Sequence, residues 1–337
     1  MKKLAAIVLA CGLAAAFPAQ AQDTNFAGKV IKIVVSGGGG YEAYARLMAR
    51  YMPAYLPGKP SIIVQEMPGG GGIRAASYLY NIAPRDGTVI GAVHGSVLTS
   101  PQLSPTVVDF DVTKFNWIGN ASSDTYIGYV TRNSPVQSLE EAKTREVVLG
   151  GTSLGSTGID LPLIGQKLFG LKFKIIPGYR TSDETKLAME RGEIHGTGGT
   201  TWGSLKATDM LERNFVKVIF QHGATPHPEL KDVPLFSDLA KNDTERQILD
   251  FMRVRGEIAR PYLAPPGIAP AQLALFREAF MKVVTDQGFK DDVTRMRLEF
   301  DSPIDGAALA KVVERAASTP PAVVKQIEDI LATFNGK

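Results

Sequence analysis

Apolar runs alternate with amphipathic segments along the first hundred residues of the chain. Residues 30–35, 61–65 and 89–93 are short, mostly apolar runs, which is the pattern of strands covered on both faces. Apolar side chains recur at helical spacing over 41–52 and 73–82, which lie between those runs. A parallel sheet flanked by helices is therefore predicted, and such sheets bind ligands outside the carboxyl ends of their strands.

The pattern changes after residue 115, shortly before the predicted start of a second lobe. Residues 116–119 and 126–131 have the pattern of two strands without a long helix between them, and the second strand should enter the new lobe. Alternating strands and helices then continue to a strand over 216–221. Amphipathic helices near the end of the chain are expected to complete the first lobe, at 273–285, 290–296, 306–316 and 320–334.

These patterns predict an α/β protein with two lobes, each a mostly parallel sheet flanked by helices. We assign residues 22–124 plus 252–337 to lobe 1 and 125–251 to lobe 2, and the two crossover segments between them form a hinge. The roughly 316 residues after the leader exceed what one hydrophobic core usually serves, which also favours two lobes.

The first 21 residues have the features of a secretory signal peptide. Lys2 and Lys3 precede an apolar stretch over 4–17, and Ala19-Gln-Ala21 is a small-x-small cleavage site. We therefore expect a periplasmic protein. The only cysteine, Cys11, lies in this leader, so the mature chain would have neither a disulfide nor a thiolate site. Lipoprotein cleavage before Cys11 is the alternative.

The charge of the chain is close to neutral. The formal net charge is +3, and loss of Lys2 and Lys3 with the leader lowers it to +1. Nucleic acids and membrane surfaces are usually bound by a strongly basic patch. Neither is therefore predicted as a partner.

Two glycine-rich loops each follow a predicted strand and precede a predicted helix. The first is Ser36-Gly-Gly-Gly-Gly40, and the second is Met67-Pro-Gly-Gly-Gly-Gly72. Glycines let backbone N–H groups approach a ligand closely, and the helix start adds a partial positive charge. Each loop is therefore a candidate anion site, and the two loops should face one ligand.

A dinucleotide site is the alternative interpretation of these loops. Both match G-x-G-x-x-A, and Glu66 ends the second strand, where an acid that binds ribose would lie. An exported dinucleotide-dependent oxidoreductase is therefore kept as an alternative. A Walker-type phosphate loop is excluded because no Lys-Ser/Thr follows either loop.

Neutral hydrogen-bond donors are concentrated at the predicted strand ends, whereas no nucleophile–base pair, G-x-S-x-G elbow or metal-ligand spacing is found. We therefore predict a binding protein that is not an enzyme and has no metal or cofactor. The predicted ligand-binding residues are Ser36, Gly38, Gly39, Gly40, Tyr41, Gly70, Gly71, Gly72, Arg74, His94, Ser96, Thr152, Ser153, Ser156, Thr157, Tyr179, Thr200, Thr201 and Trp202.

Arg74 is the most specific of these residues. It lies in the first turn of a predicted helix, where a positive side chain opposes the helix dipole unless an anion is bound there. An exposed arginine paired with Glu66 or Asp86 is the alternative. Tyr41 and Trp202 would pack against the body of the ligand or between the lobes.

The motifs taken together resemble those of the Bug-type substrate-binding proteins of tripartite tricarboxylate transporters. Residues 38–46 resemble the family pattern P-G-G-G-x-D-x-x-A-R, and 66–76 with 83–88 resemble N-x-P-G-A-G-G-x-x-G-A followed by A-x-P-D-G-Y-T. Further matches, in order along almost the whole mature chain, lie at 151–153, 155–157, 177–179, 191–194, 230–234 and 263–267.

This resemblance implies a two-lobed, type II-like periplasmic binding protein that closes on a small carboxylate through backbone amides and bridging waters. It also implies delivery of the ligand to the permease subunits of a tripartite transporter, and we expect a monomer. A ligand-dependent partner of a membrane sensor is a further alternative. The chain departs from the family pattern at Ser36-Gly37, Glu42, Arg74-Ala75 and 198–201, which bears on the ligand more than on the fold.

Overall fold

The computed structural model describes residues 24–334. The predicted signal peptide and Cys11 lie outside the described residues. The strands are β1 (Val30–Val35), β2 (Ser61–Glu66), β3 (Val89–Ala92), β4 (Asn116–Asn120), β5 (Tyr126–Thr131), β6 (Val147–Gly150), β7 (Phe173–Ile176), β8 (Gly196–Thr201), β9 (Val216–His222), β10 (Pro261–Ala264) and β11 (Ile304–Asp305).

Helices cover both sheets. They are α1 (Gly40–Tyr51), α2 (Ile73–Asn81), α3 (Ser100–Leu103), α4 (Thr157–Phe169), α5 (Ser182–Glu190), α6 (Trp202–Lys206), α7 (Asp243–Glu257), α8 (Pro270–Thr285), α9 (Gln287–Arg295), α10 (Gly306–Ala317) and α11 (Pro321–Ala332). No helix among residues 24–334 combines the length and the apolar character that crossing a membrane requires.

The strands form two mixed sheets, one in each lobe. The first has the order β11-β4-β10-β3-β1-β2, and the second has the order β7-β6-β8-β5-β9. In the first sheet β1 is parallel to β2 and β3, while β10 is antiparallel to β3 and β4. In the second sheet β6 is parallel to β7 and β8, while β5 is antiparallel to β8 and β9. The predicted α/β class with two lobes is confirmed, but the sheets are mixed rather than mostly parallel, because β4, β5 and β10 each pair antiparallel with their neighbours.

Each sheet buries apolar side chains on both faces. In β1, Ile31, Ile33 and Val35 pack with α1 and α8, whereas Val34 packs with α2 and α10 on the other face. In β5, Ile127 and Val130 divide in the same way between two clusters of the second lobe. Burial on both faces explains why the strands are apolar runs rather than alternating patterns.

The chain passes between the sheets after β4 and again through α7. Ile248 and Met252 of α7 pack in the second lobe, and Val254 at its end packs in the first. The sequence analysis missed both α7 and β10. Asn242, which caps α7 by accepting from the Glu245 N–H, was the available signal for the helix.

The last helix packs differently from the prediction. Residues 320–334 were expected to complete the first lobe, but Val323, Ile327 and Leu331 of α11 lie in the core of the second lobe. Helices α8, α9 and α10 do pack on the first sheet. Amphipathicity predicts that a helix packs, but it does not identify the lobe, because both lobes offer apolar surface.

Candidate functional site

The two glycine loops meet at the carboxyl ends of β1, β2 and β3. Gly69, Gly70, Gly71 and Gly72 all have positive φ angles, of 141°, 57°, 62° and 100°, a backbone that side chains with a Cβ rarely adopt. A Cβ placed on Gly72 would lie 3.3 Å from Ser36 Oγ and 3.1 Å from His94 Cβ. The run of glycines thus lets the second loop pack directly against the first loop and the end of β3.

The first loop faces open space. No atom of the described chain lies within 4 Å of a Cβ placed on Gly37, Gly38 or Gly39. Gly40 is different, since its Cβ position lies 3.3 Å from Arg260 Nη2 and 3.4 Å from Ser204 Oγ. The start of α1 is therefore packed against the protein, whereas the side-chain positions of Gly37, Gly38 and Gly39 are open.

The second lobe contributes the β6–α4 loop, residues 151–156. A Cβ placed on Gly71 would lie 3.3 Å from the carbonyl oxygen of Gly155, so the two loops contact each other across the lobes. A Cβ placed on Gly155 itself would have no atom of the described residues within 4 Å, apart from its chain neighbours. The loops of both lobes therefore border one cleft.

The helices that start at this cleft have no side-chain caps. Their N-cap residues are Gly39 for α1, Gly72 for α2 and Ser156 for α4, and at none of the three does a side chain accept a hydrogen bond from the first turn of the helix. Helices α5, α7, α9 and α10 start elsewhere and are capped by the side chains of Thr181, Asn242, Asp286 and Asp305. Uncapped N–H groups at helix starts attract anions.

His94 and Ser96 connect the loops of the first lobe. Ser36 Oγ accepts from the His94 N–H at 2.7 Å, and Ser96 Oγ donates to the Gly71 carbonyl oxygen at 2.7 Å. Burial, with a smaller contribution from the nearby Arg255 and Arg260, lowers the pKa of His94 to about 3. His94 is therefore neutral near pH 7, and the structure brings it together with Ser36, Ser96 and the glycine loops.

Two buried arginines that the sequence analysis did not single out lie beside the cleft. Arg255 Nη1 is 2.7 Å from Asp160 Oδ2, and Arg260 Nη2 is 3.2 Å from Asp124 Oδ2. All four side chains are at most 3% exposed. Each positive charge is therefore matched by a carboxylate.

Tyr41 packs between residues of the protein. Its ring centroid lies 4.6 Å from that of His94 and 4.6 Å from Arg260 Cζ. Its hydroxyl oxygen is buried and has no hydrogen-bond partner in the described chain. Burial raises the pKa of Tyr41 well above its ordinary value, so the hydroxyl keeps its proton. A role as a hydroxyl donor fits this placement better than stacking on a ligand.

Three other predicted residues contact groups of the protein. Arg74 is exposed, and its side chain turns back over Gly69. Trp202 is buried in the second lobe, and its indole N–H donates to Glu229 Oε2 at 2.5 Å. Tyr179 packs against the second-lobe core. Helical position and aromatic character do not specify where a long side chain points.

The remaining predicted residues of the second lobe lie at helix starts, in a strand or in the β6–α4 loop. Thr157 opens α4, and its buried Oγ1 has no partner among the described residues. Thr201 caps the short helix α6, and Thr200 pairs with Ile127 in the sheet. The carbonyls of Thr152 and Ser153 accept from Gly178 N–H and from Ser156, which shapes the β6–α4 loop.

A group of side chains with possible metal-ligand spacing lies outside the cleft. His227, Glu229 and Glu299 offer ligand atoms within 4.8 Å of one another. The ammonium group of Lys206 lies 2.8 Å from both Glu229 and Glu299 and offsets one of their two negative charges. We assign no metal to this group.

Several known proteins resemble this chain in sequence or in fold. No protein-family model matches the chain. A UPF0065 protein from Cupriavidus necator is 25% identical over 309 residues, which are 88% of this chain and 86% of that protein. Two solved structures from Rhodopseudomonas palustris, each with a TM-score of 0.70, cover 90% of this chain. They are Rpa4515 with adipate (18% identical, 98% of that chain covered) and MatC with bound malate (17%, 99%).

The structure thus defines a two-lobed α/β protein whose fold is of the class found in solved periplasmic binding proteins. Within that class its neighbours are the TctC/Bug-type solute-binding proteins, among them BugD, with a TM-score of 0.69 and 17% identity over 90% of this chain and 98% of that one. The resemblance to this family in the sequence motifs is confirmed.

Proposed function

We propose that the protein is an extracytoplasmic solute-binding protein that holds a small organic carboxylate in the cleft between its lobes. The observation that carries this proposal is the set of uncapped helix starts at Gly39, Gly72 and Ser156, which border one cleft. Backbone N–H groups there remain available to a negatively charged group.

The charges around the cleft favour recognition by neutral donors. Arg255 and Arg260 are each paired with a buried aspartate, and His94 is neutral. Hydrogen bonds to a charged group contribute about 1.5–3 kcal/mol each, and micromolar affinity corresponds to about 8 kcal/mol. Several N–H and hydroxyl donors are therefore sufficient without a free cation.

The relatives support the same class of ligand and a role other than catalysis. Adipate and malate, which occupy two structural neighbours, are both small dicarboxylates. We further propose that the mature protein is periplasmic and monomeric, that it has the lobes assigned above except that α11 belongs to the second, and that it delivers its ligand to the permease of a tripartite tricarboxylate transporter.

A ligand screen on the mature protein tests the proposal. Propionate, malate, adipate and citrate are compared with adipamide, the neutral diamide of adipate, by thermal shift and then by calorimetry. At least one carboxylate should raise the melting temperature in a concentration-dependent way, and the diamide should not. Lys325→Ala removes an exposed charge on α11 and serves as a control that keeps binding. A shift with nicotinamide dinucleotides and with no carboxylate would instead favour the oxidoreductase.

A further inference from the structure

The β6–α4 loop is held by a buried ion pair. The Gly155 N–H donates to Asp160 Oδ1 at 2.9 Å, and Asp160 Oδ2 accepts from Arg255 Nη1 at 2.7 Å. The Asp160 and Arg255 side chains are 0% and 1% exposed. One carboxylate therefore fixes both the loop and the guanidinium.

The same guanidinium also reaches the first lobe. Arg255 Nε donates to Thr99 Oγ1 at 2.8 Å, and Thr99 Oγ1 donates to the Ser96 carbonyl oxygen at 3.1 Å. Ser96 Oγ in turn donates to the carbonyl oxygen of Gly71 in the second glycine loop. Hydrogen bonds thus run from Gly155 in one lobe, through Arg255, to Gly71 in the other.

The two ends of this chain of hydrogen bonds contact each other. The Gly155 carbonyl oxygen lies 3.3 Å from the position of a Cβ on Gly71. The backbone of Arg255 packs closely against Gly95 of the first lobe, because a Cβ on Gly95 would lie only 2.4 Å from the Arg255 carbonyl oxygen. The loops of the two lobes, the start of α3 and the end of α7 therefore form a closed ring.

We propose that Arg255 is a positioning residue that sets the closed arrangement of the two binding loops. This inference rests on the proposed function, since the loops are those assigned to ligand binding. Opening of the lobes must break one link in the ring. Arg255 itself packs with the first lobe, at Gly95, so the link that opening breaks is the ion pair with Asp160 of the second lobe. The bond from Arg255 to Thr99 holds the guanidinium in position for that ion pair.

The test removes only the Thr99 hydroxyl and follows the separation of the lobes. Thr99→Val deletes the acceptor but keeps both charged groups of the buried ion pair, and Thr99→Ser keeps the hydroxyl. Thr319→Val is the matched control, because Thr319 Oγ1 donates to the Ala316 carbonyl oxygen, also three residues earlier, at a distance from the cleft. The only cysteine lies in the leader, so Lys174→Cys and Lys311→Cys give one exposed spin-label site in each lobe.

Pulsed electron spin resonance on the ligand-free protein should show a shift to longer interlobe distances in Thr99→Val. It should show no shift in Thr99→Ser or Thr319→Val. With malate, adipate or citrate as the probe, Thr99→Val should weaken binding about tenfold through faster dissociation, the effect of one charge-assisted hydrogen bond. Unchanged distances in Thr99→Val, or equal shifts in Thr99→Val and Thr99→Ser, overturn the inference. A distance shift without binding of any probe would contradict the proposed function alone.

Discussion

Arg260, just before β10, and Asp124, just before β5, form an ion pair of 3.2 Å, and both side chains are almost fully buried. The Arg260 guanidinium also lies over the rings of Tyr41 and Tyr44, at 4.6 Å and 5.2 Å. A buried pair costs desolvation for both ions, but removing one partner leaves the other charge unpaired. The free energy of unfolding should therefore be retained when both charges are kept or both are removed, and lost when only one is removed.

Asp124→Asn should accordingly destabilise the protein by about 3 kcal/mol, because it leaves Arg260 buried and unpaired. Urea unfolding measures the change. The double variant Asp124→Leu/Arg260→Met should recover most of this loss. Glu184→Gln, which breaks an exposed pair with Arg180, should have little effect. Equal losses for Asp124→Asn and the double variant would show that the pair is not the reason.

The stability of the protein should fall below neutral pH because of His222. Burial, with a smaller contribution from Arg253 and Arg255, lowers the pKa of His222 to about 3. The unfolded chain takes up a proton near pH 6.5 and the folded chain does not, so the stability from neutral His222 is present above pH 6.5. It is lost progressively as the pH falls from 6.5 towards 3.

His222→Leu should therefore flatten the dependence of unfolding free energy on pH. Between pH 7.5 and pH 5 the variant should lose about 2 kcal/mol less than the unaltered protein. Phe220→Leu changes a buried neighbour in the same strand that carries no charge, so it should lower stability equally at each pH. Parallel curves for His222→Leu and the unaltered protein would contradict this account.

Local sequence signals predicted the first half of the site. The apolar runs gave β1, β2 and β3, and the glycines that follow two of them gave the loops, because strand, turn and helix start are encoded within a few residues. Arg255 and Arg260 could not be found in this way. Their partners Asp160 and Asp124 lie 95 and 136 residues away, and only the packed lobes bring them together.

Strand β10 also could not be predicted from its local sequence. Its sequence borders a proline-rich stretch and predicts a loop, yet Tyr262 and Leu263 pair with β3 and β4 on either side. The neighbouring strands supply the hydrogen bonds that a local pattern cannot show. The roles of the individual predicted ligand-binding residues stay predictions until binding is measured.

Ser156 offers a direct test of the uncapped helix starts. It is the N-cap residue of α4, with φ −87° and ψ 147°, but its hydroxyl donates to Ser153 instead of capping the helix. In Ser156→Asp, the new carboxylate should accept from the N–H groups proposed to bind the ligand and repel its negative charge. Carboxylate binding should therefore weaken by more than about tenfold, while the ligand-free protein stays within about 1 kcal/mol of its original stability.

Two control variants separate the possible causes of such a loss. Ser156→Asn caps the same helix without charge and should weaken binding less. Thr181→Asp places the same charge at the start of α5, where Thr181 already caps the helix, and should leave binding unchanged. Calorimetry measures affinity and urea unfolding measures stability. Full affinity in Ser156→Asp would mean that the start of α4 does not face the ligand, and equal losses at both positions would indicate long-range repulsion rather than competition for the N–H groups.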